Sequence, residues 1–505
     1  DYACGAGHFL NEYAEQLKKY VKQERLQEYY SKIYGIEKEY RLSKVAKVSA
    51  FMYGQDNINI IYADALKKDE RIKENSYSVV IANPPYSVKG FLEILSESQR
   101  KRYLLSNEIN NLDTSNSIEL FFLERTEQLL KSEGIAGIIF PISILSNGKI
   151  YEKARKMLVE NFNIIAIVEF SSKTFSSTGT NTIALFLQKK KYPPKESDNF
   201  KYAVERWFNN DNVQESDKEI ISIYCDFIGV EYEDYQEFQI GKLEKLVEFE
   251  LFEEYIEEFN KSKKARDINE KKIKNGYTEE IKEEELRKAE FKYIKELEQE
   301  KVTYFALAYS QENDVVIVKS PDDSKEIKEF LGYKWSKRKG KEGIKYMGTK
   351  ISDDEIEISK NQAINDIKTP LFNPLNLDDS ENINTIIRNN FNGKLEIIPE
   401  NLKKFVTTYS LVDMIDFSDT KFDMQIHLRK KLEIKSNKYP VVKIKNITTD
   451  IQKGQTITQT QTKEGNIKVV AGGTDYAYFH NEANREANII TIAASGTAGF
   501  VNFWD

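Results

Sequence analysis

Val79-Val-Ile-Ala-Asn83-Pro84-Pro85-Tyr86 joins an apolar run to a polar side chain, two prolines and an aromatic ring. The run is typical of a buried β-strand that ends at Asn83. Proline fixes its own φ and disfavours helical geometry in the preceding residue, so we expect Asn83 and the Pro84 carbonyl to be held at the edge of a sheet. Two acceptors at that edge can face one amino group. The sequence therefore predicts a rigid clamp at the end of a strand.

Short β-rich runs alternate with helical patterns on both sides of this clamp, through residues 1–190. Strand and helix in turn predict a doubly wound α/β sheet. Residues 9–30 and 117–132 have the amphipathic spacing of helices that cover the faces of a sheet. The predicted strands cover residues 33–36, 58–62, 77–82, 135–140, 164–168 and 183–187.

Two glycines precede the first predicted helix, in Asp1-Tyr-Ala-Cys-Gly5-Ala-Gly7. A backbone that passes close to a ligand needs such residues, although a tight strand-to-helix turn uses them for steric reasons alone. Glu37, at the end of a short strand, can accept hydrogen bonds from both hydroxyls of an adenosine ribose, or be an exposed strand-end carboxylate. Asp64 can accept a hydrogen bond from the adenine amine of the same cofactor, or cap a helix.

The clamp suits chemistry on a planar amine. An exocyclic amine conjugated to a base ring is a poor nucleophile, and accepting both of its hydrogens favours the geometry in which nitrogen density points at a methyl sulfonium. Methyl transfer is then direct, without a covalent enzyme intermediate. The base must leave the duplex, and Tyr86 offers a ring on which it stacks, worth about 1–3 kcal/mol. The alternative for these residues is a strand-terminating turn.

Together the glycine turn and the clamp resemble the adenine-N6 DNA methyltransferases, whose cofactor turn reads like Asp-Pro-Ala-Cys-Gly-Ser-Gly and whose catalytic motif is Asn-Pro-Pro-Tyr. Tyr2 replaces the proline and Ala6 the serine, and neither replacement removes a group that the chemistry needs. The resemblance covers about residues 1–190. It implies a Rossmann-like α/β sheet that uses S-adenosylmethionine and requires no metal.

The resemblance also implies roles for individual residues. Phe175 is expected to stack on the target base opposite Tyr86, with a core phenylalanine at the end of a sheet as the alternative. The histidines are scattered and form no metal-ligand cluster with the cysteines. Catalytic roles fall on Asn83, Pro84, Pro85 and Tyr86, and cofactor contacts on Asp1, Ala3, Gly5, Gly7, Glu37, Asp64 and Asn83.

Changes in composition and residue pattern along the chain predict four segments. Residues 1–240 form the methyltransferase domain, and residues 241–300, rich in both acidic and basic side chains, form a solvated, charged helical hairpin. Residues 301–428 connect with mixed structure, and residues 429–505, with short β runs between Gly, Asn and Thr, form a β-rich domain. Because the chain opens inside a turn and stops in an apolar strand, we expect it to be truncated at both ends.

The β-rich segment resembles, in the order of its motifs, the target-recognition domain of type I restriction specificity subunits. Residues 439–457, 468–480 and 489–504 carry the resemblance, and its glycines and polar side chains can approach DNA closely. Plain β-hairpin turns are the alternative. A methyltransferase and a recognition domain in one chain resemble type IIG and type I-like restriction-modification enzymes. In type IIG enzymes a nuclease domain precedes the methyltransferase.

This second resemblance implies double-stranded DNA as the partner, together with a specificity subunit, a second copy of the chain or a restriction subunit. The net charge of −7 argues mildly against nucleic acid, but residues 429–505 carry more basic than acidic side chains. No stretch approaches the roughly 20 apolar residues of a membrane span. Two distant cysteines, Cys4 and Cys225, fit a reducing, cytoplasmic location.

The sequence thus favours a site-specific DNA methyltransferase that acts on the N6 amine of a flipped adenine. One alternative is a DNA-recognition or assembly subunit in which the methyltransferase fold does not turn over. Another is N4-cytosine methylation, since cytosine also presents an exocyclic amine, although Asn83 at the first clamp position resembles the adenine group more.

Overall fold

The computed structural model of the chain divides into two compact units, Asp1–Lys431 and Leu432–Asp505. The larger unit contains the clamp and the glycine turn. The structure describes all residues except 172–180, 194, 240–249, 272, 274–276, 322, 337, 339–342, 347–349, 352–355, 358–366, 396, 430–438, 440–446, 449–450, 453–456, 471–474, 494–498 and 505.

The larger unit alternates helices and strands. Its helices are α1 (His8–Leu17), α2 (Leu26–Tyr30), α3 (Tyr40–Met52), α4 (Glu97–Arg100), α5 (Ile118–Leu129), α6 (Ile150–Asn161), α7 (Lys195–Asn209), α8 (Glu215–Ile228), α9 (Tyr232–Gln239), α10 (Glu250–Asn260), α11 (Lys263–Asn269), α12 (Glu279–Tyr309), α13 (Ser324–Leu331) and α14 (Ile383–Phe391). Its strands are β1 (Tyr34–Glu37), β2 (Asn59–Tyr62), β3 (Tyr77–Ala82), β4 (Leu130–Pro141), β5 (Phe162–Phe170), β6 (Thr182–Lys189), β7 (Val315–Lys319), β8 (Tyr333–Ser336), β9 (Gly343–Tyr346), β10 (Lys350–Ile351), β11 (Ile356–Glu357) and β12 (Val406–Tyr409).

A six-stranded mixed sheet in the order β12-β7-β5-β6-β4-β3 forms the centre of this unit. Strands β3 and β4 are parallel, as are β5 and β7, whereas β6 is antiparallel to both of its neighbours. Ile138, Ile167 and Leu185 from three of these strands are completely buried. Burying each such side chain stabilises the fold by about 1.5–3 kcal/mol. The α/β class expected from the sequence is confirmed, with a sheet that is mixed.

A separate parallel pair, β1 and β2, lies beside the glycine turn. Residues 1–4 run along β1, because the Ile36 amide donates to the Asp1 carbonyl (2.8 Å) and the Cys4 amide donates to the Ile36 carbonyl (3.0 Å). The ring of Tyr34 on β1 contacts that of Tyr77 on β3, with centroids 5.6 Å apart. The glycine turn therefore emerges next to the end of β1.

The two helices predicted over residues 9–30 and 117–132 have different bounds in the structure. The expected helix over 9–30 is broken after α1, and the chain turns so that Leu26 and Tyr30 of α2 pack in one cluster with Leu10 and Ala14. Helix α5 ends at Leu129, and β4 begins directly afterwards, five residues earlier than predicted. Helix α5 is buried on all sides rather than on one stripe, because its buried residues run from Ile118 through Thr126.

The described residues of the charged region form three helices, α10, α11 and α12, where the sequence predicted two. Helix α12 continues through residue 300, where we expected a segment to end, and its residues 301–308 are all buried. Within residues 241–300, where we expected a solvated hairpin, α12 buries Ala289, Ile294 and Glu298. Among the described residues, no helix has the length and apolar character that a membrane crossing requires.

Residues 301–428, which we expected to be a connecting region, contribute strands to the central sheet. Strand β7 pairs with β5 in parallel, and β12 pairs with β7 antiparallel, so this region extends the central sheet by two strands. The antiparallel pairs β8–β9 and β10–β11 lie in the same region.

In the part of the smaller unit that the structure describes, four strands form two antiparallel pairs, called hairpins below. Strand β13 (Ile467–Val470) pairs with β14 (Tyr476–His480), and β15 (Ile489–Ile492) pairs with β16 (Val501–Trp504). The Nζ atom of Lys468 lies 5.7 Å from the ring centroid of Tyr476 and 5.8 Å from that of Trp504, so it contacts both hairpins. Most of the expected motif at 439–457 lies outside the described residues.

Candidate functional site

The clamp stands at the end of β3, where the sequence placed it. Ala82, the last residue of the strand, is completely buried, while Asn83 is exposed and the ring of Pro84 is buried. The hydroxyl of Tyr86 donates to Asn83 Oδ1 at 2.6 Å and lies 3.1 Å from the carbonyl oxygen of Ile139 on β4. A phenol has one hydrogen to give, so these two acceptors compete for it.

The competition sets the orientation of the Asn83 amide. While Tyr86 donates to Asn83 Oδ1, this oxygen faces the phenol and the amide nitrogen faces away. When the phenol turns to Ile139, the oxygen is free to accept a hydrogen from another amine. Burial raises the pKa of Tyr86, with the charge of Glu119 as a further cause, so the phenol keeps its hydrogen at neutral pH.

A buried carboxylate that the sequence reading missed supports the clamp. Glu119, only 1% exposed, accepts a hydrogen bond from the Ser87 amide (Oε2, 3.1 Å) and another from the Tyr151 hydroxyl (Oε1, 2.6 Å). Ser87 directly follows Tyr86 and has a left-handed φ of 53°. The available signal was a glutamate among apolar neighbours in Ile118-Glu-Leu-Phe-Phe-Leu123.

The glycine turn and Glu37 form a second part of the site. Gly5 and Gly7 both have left-handed φ, 51° and 85°. The Gly5 amide donates to Glu37 Oε2 at 2.8 Å, and Asp1 Oδ1 accepts from the Ala3 amide at 2.9 Å. The structure thus brings together the five residues of this turn and strand end that the sequence nominated.

Asp64 lies on the neighbouring strand end. Glu37 is paired in register with Tyr62 at the end of β2, and Asp64 follows two residues later. Asp64 Oδ1 accepts a hydrogen bond from the Leu66 amide at 3.1 Å, and Oδ2 lies 3.0 Å from Nζ of Lys38. Asp64 caps a turn here, because no helix follows it. The ion pair with Lys38 was not anticipated.

These residues fit an adenosyl group. A Cβ atom added to Gly5 would meet nothing within 4 Å, so open space borders the turn, whereas one added to Gly7 would approach Ala46 Cβ to 3.2 Å. Two carboxylates lie at or just beyond the ends of adjacent strands, and such groups can accept hydrogen bonds from a ribose and an adenine amine. Gly5, Glu37 and Asp64 are the residues that would hold such a group.

Helix α5 supports both parts of the site. The Tyr2 hydroxyl is hydrogen-bonded to Thr126 Oγ1 at 3.0 Å, and the Tyr2 ring stacks on Phe122 with centroids 5.1 Å apart. Near its start the same helix provides Glu119 to the clamp. The replacement of proline by Tyr2 therefore anchors the glycine turn to the helix that also anchors the clamp.

Phe175 lies outside the described residues, and its role stays a prediction. The described residues on either side of 172–180 belong to β5 and β6, where Phe170 pairs with Thr182. Thr182 also pairs with Pro141 at the end of β4, which is the sheet edge where β3 ends in the clamp.

The mixed α/β sheet, the glycine turn with its strand-end carboxylates and the clamp define the class of protein, a Rossmann-like methyltransferase. Within that class, the chain belongs to the N-6 DNA methylase family, whose sequence profile matches residues 1–302.

Named relatives agree with this family. The chain is 30% identical to the type I restriction enzyme MpnII methylase subunit of Mycoplasma pneumoniae over 203 residues, 37% of this chain and 35% of that one. It is 25% identical to the type II restriction enzyme and methyltransferase RM.BcgI of Heyndrickxia coagulans over 213 residues, 40% and 29% of the two chains. The chain thus spans about a third of the length of these curated relatives. The solved M protein of the type I restriction enzyme EcoKI matches with a TM-score of 0.30 at 19% identity, over 37% of this chain and 38% of that one.

Proposed function

We propose that the chain is the catalytic part of a site-specific DNA methyltransferase that transfers the methyl group of S-adenosylmethionine to the N6 amine of an adenine turned out of the duplex. The observation that carries the proposal is the Asn83 amide oxygen at the end of β3, oriented by the Tyr86 hydroxyl 2.6 Å away. Membership of the N-6 DNA methylase family supports the same reaction.

The clamp residues hold the target amine. Asn83 Oδ1 accepts one hydrogen of the amine and the Pro84 carbonyl accepts the other, which concentrates nitrogen density toward the methyl donor. The Tyr86 phenol releases Asn83 by turning its hydrogen to the Ile139 carbonyl, and its ring then stacks on the base. Because the donor is already activated, no side chain needs to become a nucleophile.

The glycine turn and the strand-end carboxylates hold the cofactor, which when bound supplies an electrophilic methyl group on sulfur. Glu37 accepts hydrogen bonds from the ribose hydroxyls while its Oε2 keeps the Gly5 amide in place. Asp64 accepts one from the adenine amine. Asp1, Ala3 and Gly7 shape the turn against α1 and α3.

The test is transfer of tritiated methyl groups from S-adenosylmethionine to mixed-sequence duplex DNA, followed by identification of the labelled nucleoside. We expect N6-methyladenine with the unmodified chain and at least a 100-fold loss with Asn83→Ala, since a misplaced reacting group alone costs about that much. Asn260→Ala, which changes an exposed asparagine at the end of α10, serves as the control. Label on the N4 amine of cytosine would show that cytosine, and not adenine, is the substrate.

A recognition subunit without turnover is the second candidate, and the smaller unit motivates it. Lys468 lies over two aromatic rings, and Phe479 and Phe503 of the same two strand pairs are 44% and 62% exposed. A basic group among exposed aromatic rings suits a nucleic-acid partner. DNA binding by the unmodified chain in a filter assay, without methyl transfer, would favour this candidate over the first.

We further propose that the chain works in a restriction-modification system, with a type IIG-like order in which a recognition domain begins near residue 429. The names of the relatives, methylase subunits of type I enzymes and a combined restriction enzyme and methyltransferase, motivate this assignment. Its partners would be double-stranded DNA and a specificity subunit, a restriction subunit or a second copy. We propose that the methylation takes place in the cytoplasm, where the DNA of the host lies.

A further inference from the structure

We propose that Glu119 is a positioning residue of the methyltransferase site, whose buried carboxylate holds the backbone that follows Tyr86 and thereby the two acceptors of the clamp. The catalytic part of this inference rests on the proposed function. The structural part concerns the clamp alone and can be tested without turnover.

The backbone at Ser87 needs an external constraint. Ser87 is exposed and adopts a left-handed φ of 53°, a conformation that costs a residue with a Cβ about 1–2 kcal/mol. Its amide points inward to Glu119 Oε2 at 3.1 Å. A hydrogen bond from an amide to a carboxylate is among the stronger ones in proteins, so it can hold this unfavourable turn.

The carboxylate of Glu119 is itself held at both oxygens. Oε2 accepts from Ser87, and Oε1 accepts from the Tyr151 hydroxyl of α6 at 2.6 Å. Burial raises the pKa of Tyr151, and the hydrogen bond to Glu119 raises it further, so the phenol remains a donor. Glu119 also occupies the first turn of α5, where the helix dipole favours a negative charge.

Two anchors therefore bracket the clamp. On one side, the Tyr86 hydroxyl reaches Asn83 and the Ile139 carbonyl of β4. On the other, the Ser87 amide reaches Glu119 on α5. When the phenol turns its hydrogen to Ile139, the first anchor loses its hydrogen bond to Asn83. The second anchor does not change, so we infer that it helps to keep Asn83 and Pro84 in register with the sheet.

Helix α5 supplies a matched control. Glu124, also buried, accepts the amides of Leu104 (2.5 Å) and Leu105 (3.2 Å) and makes no hydrogen bond to the clamp. Glu119→Ala and Glu124→Ala remove the same group from the same helix. The first leaves the Ser87 amide and the Tyr151 hydroxyl without their acceptor, and the second leaves two backbone amides without theirs. Only the first removal concerns the clamp.

The first measurement is hydrogen–deuterium exchange of the whole chain, read in peptides that cover residues 83–90 and 100–108. We expect Glu119→Ala to speed exchange at Ser87 by at least about tenfold. Glu119→Gln keeps an acceptor for Ser87 and should exchange like the unmodified chain. Glu124→Ala should speed exchange at Leu104 and Leu105 only. Unchanged exchange at Ser87 in Glu119→Ala would overturn the proposal.

The second measurement separates positioning from a general loss of stability. Glu119→Ala should lower kcat for methyl transfer about 10- to 100-fold with the Kd for S-adenosylmethionine within about twofold, and Glu119→Gln should restore kcat to within about threefold. Equal losses of kcat in Glu119→Ala and Glu124→Ala would show a merely structural role and contradict the proposal. If the unmodified chain transfers no methyl group, the proposed function fails, while the exchange data still decide whether Glu119 holds the clamp.

A milder variant covers the case in which Glu119→Ala does not fold. Tyr151→Phe removes the donor to Oε1 and leaves the carboxylate in place. We expect a change of the same direction and smaller size in both measurements. No change in either would count against the inference.

Discussion

Single residues at this site already have partners that a ligand must replace. Asn83 Oδ1 is occupied by the Tyr86 hydroxyl, and Asp64 Oδ2 by Nζ of Lys38. The side chain of Lys38 is 61% exposed and that of Asp64 only 12%. An ion pair with one exposed partner contributes about 0–1 kcal/mol, so a well-placed adenine amine can displace the lysine.

The Lys38–Asp64 pair leads to a prediction on cofactor affinity. Asp64→Ala should weaken binding of S-adenosylmethionine about tenfold, because one hydrogen bond to a charged acceptor is lost. Lys38→Met should tighten binding by up to about fivefold, because the competitor for Asp64 is removed. Calorimetric titration measures both, with Lys32→Met, which breaks an exposed pair with Glu28, as the control. Weakened binding in Lys38→Met would mean that the lysine itself holds the cofactor.

At the scale of elements, α5 shows which features a sequence reveals. The six strands predicted between residues 33 and 187 are all present. Short apolar runs bounded by turn residues are typical of buried strands, so the sequence indicates them directly. The clamp could also be predicted from the sequence, because its two prolines restrict the local backbone geometry. The full burial of α5 was not, since Glu119 and Arg125 look like surface residues until their partners are known. Arg125 bonds the Ala65 carbonyl and Glu74, residues far away in sequence.

The buried Glu124 of α5 gives a prediction on pH. Burial raises its pKa to about 7 in the folded chain, although two backbone amides act in the opposite direction. A folded-state pKa above the unfolded value means that the folded chain binds the proton more tightly, so this contribution to stability is present at low pH and is lost between about pH 4.5 and 7. The loss is about 3 kcal/mol.

Urea unfolding of the unmodified chain and of Glu124→Gln at pH 5 and pH 8 tests whether the stability contribution of Glu124 falls as the pH rises. We expect the variant to gain stability relative to the unmodified chain at pH 8 and not at pH 5. Glu108→Gln, an exposed carboxylate nearby, should leave the difference between the two pH values unchanged. The same pH dependence in Glu124→Gln and in the unmodified chain would refute the assignment.

At the scale of the whole molecule, segments distant in sequence complete the larger unit. Strand β7 joins β5 across about 150 residues, and β12 joins β7 across a further 90, pairings that no local pattern specifies. The helices between them share a polar cluster, defined here as Glu298 and Lys301 of α12 with the hydroxyls of Tyr224, Tyr235 and Tyr255. All five side chains are essentially inaccessible to solvent.

This polar cluster links four helices. Glu298 accepts hydrogen bonds from Tyr224 of α8 (3.0 Å), Tyr235 of α9 (2.8 Å) and Tyr255 of α10, and Lys301 donates to Tyr255. Burial lowers the pKa of Lys301, an effect that the charge of Glu298 opposes. In the sequence Glu298 lies in the charged run of residues 241–300, which is typical of a solvated face, and Lys301 directly follows that run. The cluster was therefore not predicted.

The two charges of the cluster should be coupled, so that removing both costs less than the sum of the two single losses. Glu298→Leu leaves Lys301 without a counter-charge and three phenols without an acceptor, so we expect a loss of about 3–5 kcal/mol in the free energy of unfolding. Lys301→Met leaves the glutamate with three donors and should cost less. In the double variant the two apolar side chains can pack together, so its loss should fall below the sum of the single losses by more than about 1 kcal/mol. Urea unfolding of the four proteins gives this coupling energy, and additive losses would show that the two charges act independently and that the phenols alone join the helices to one another.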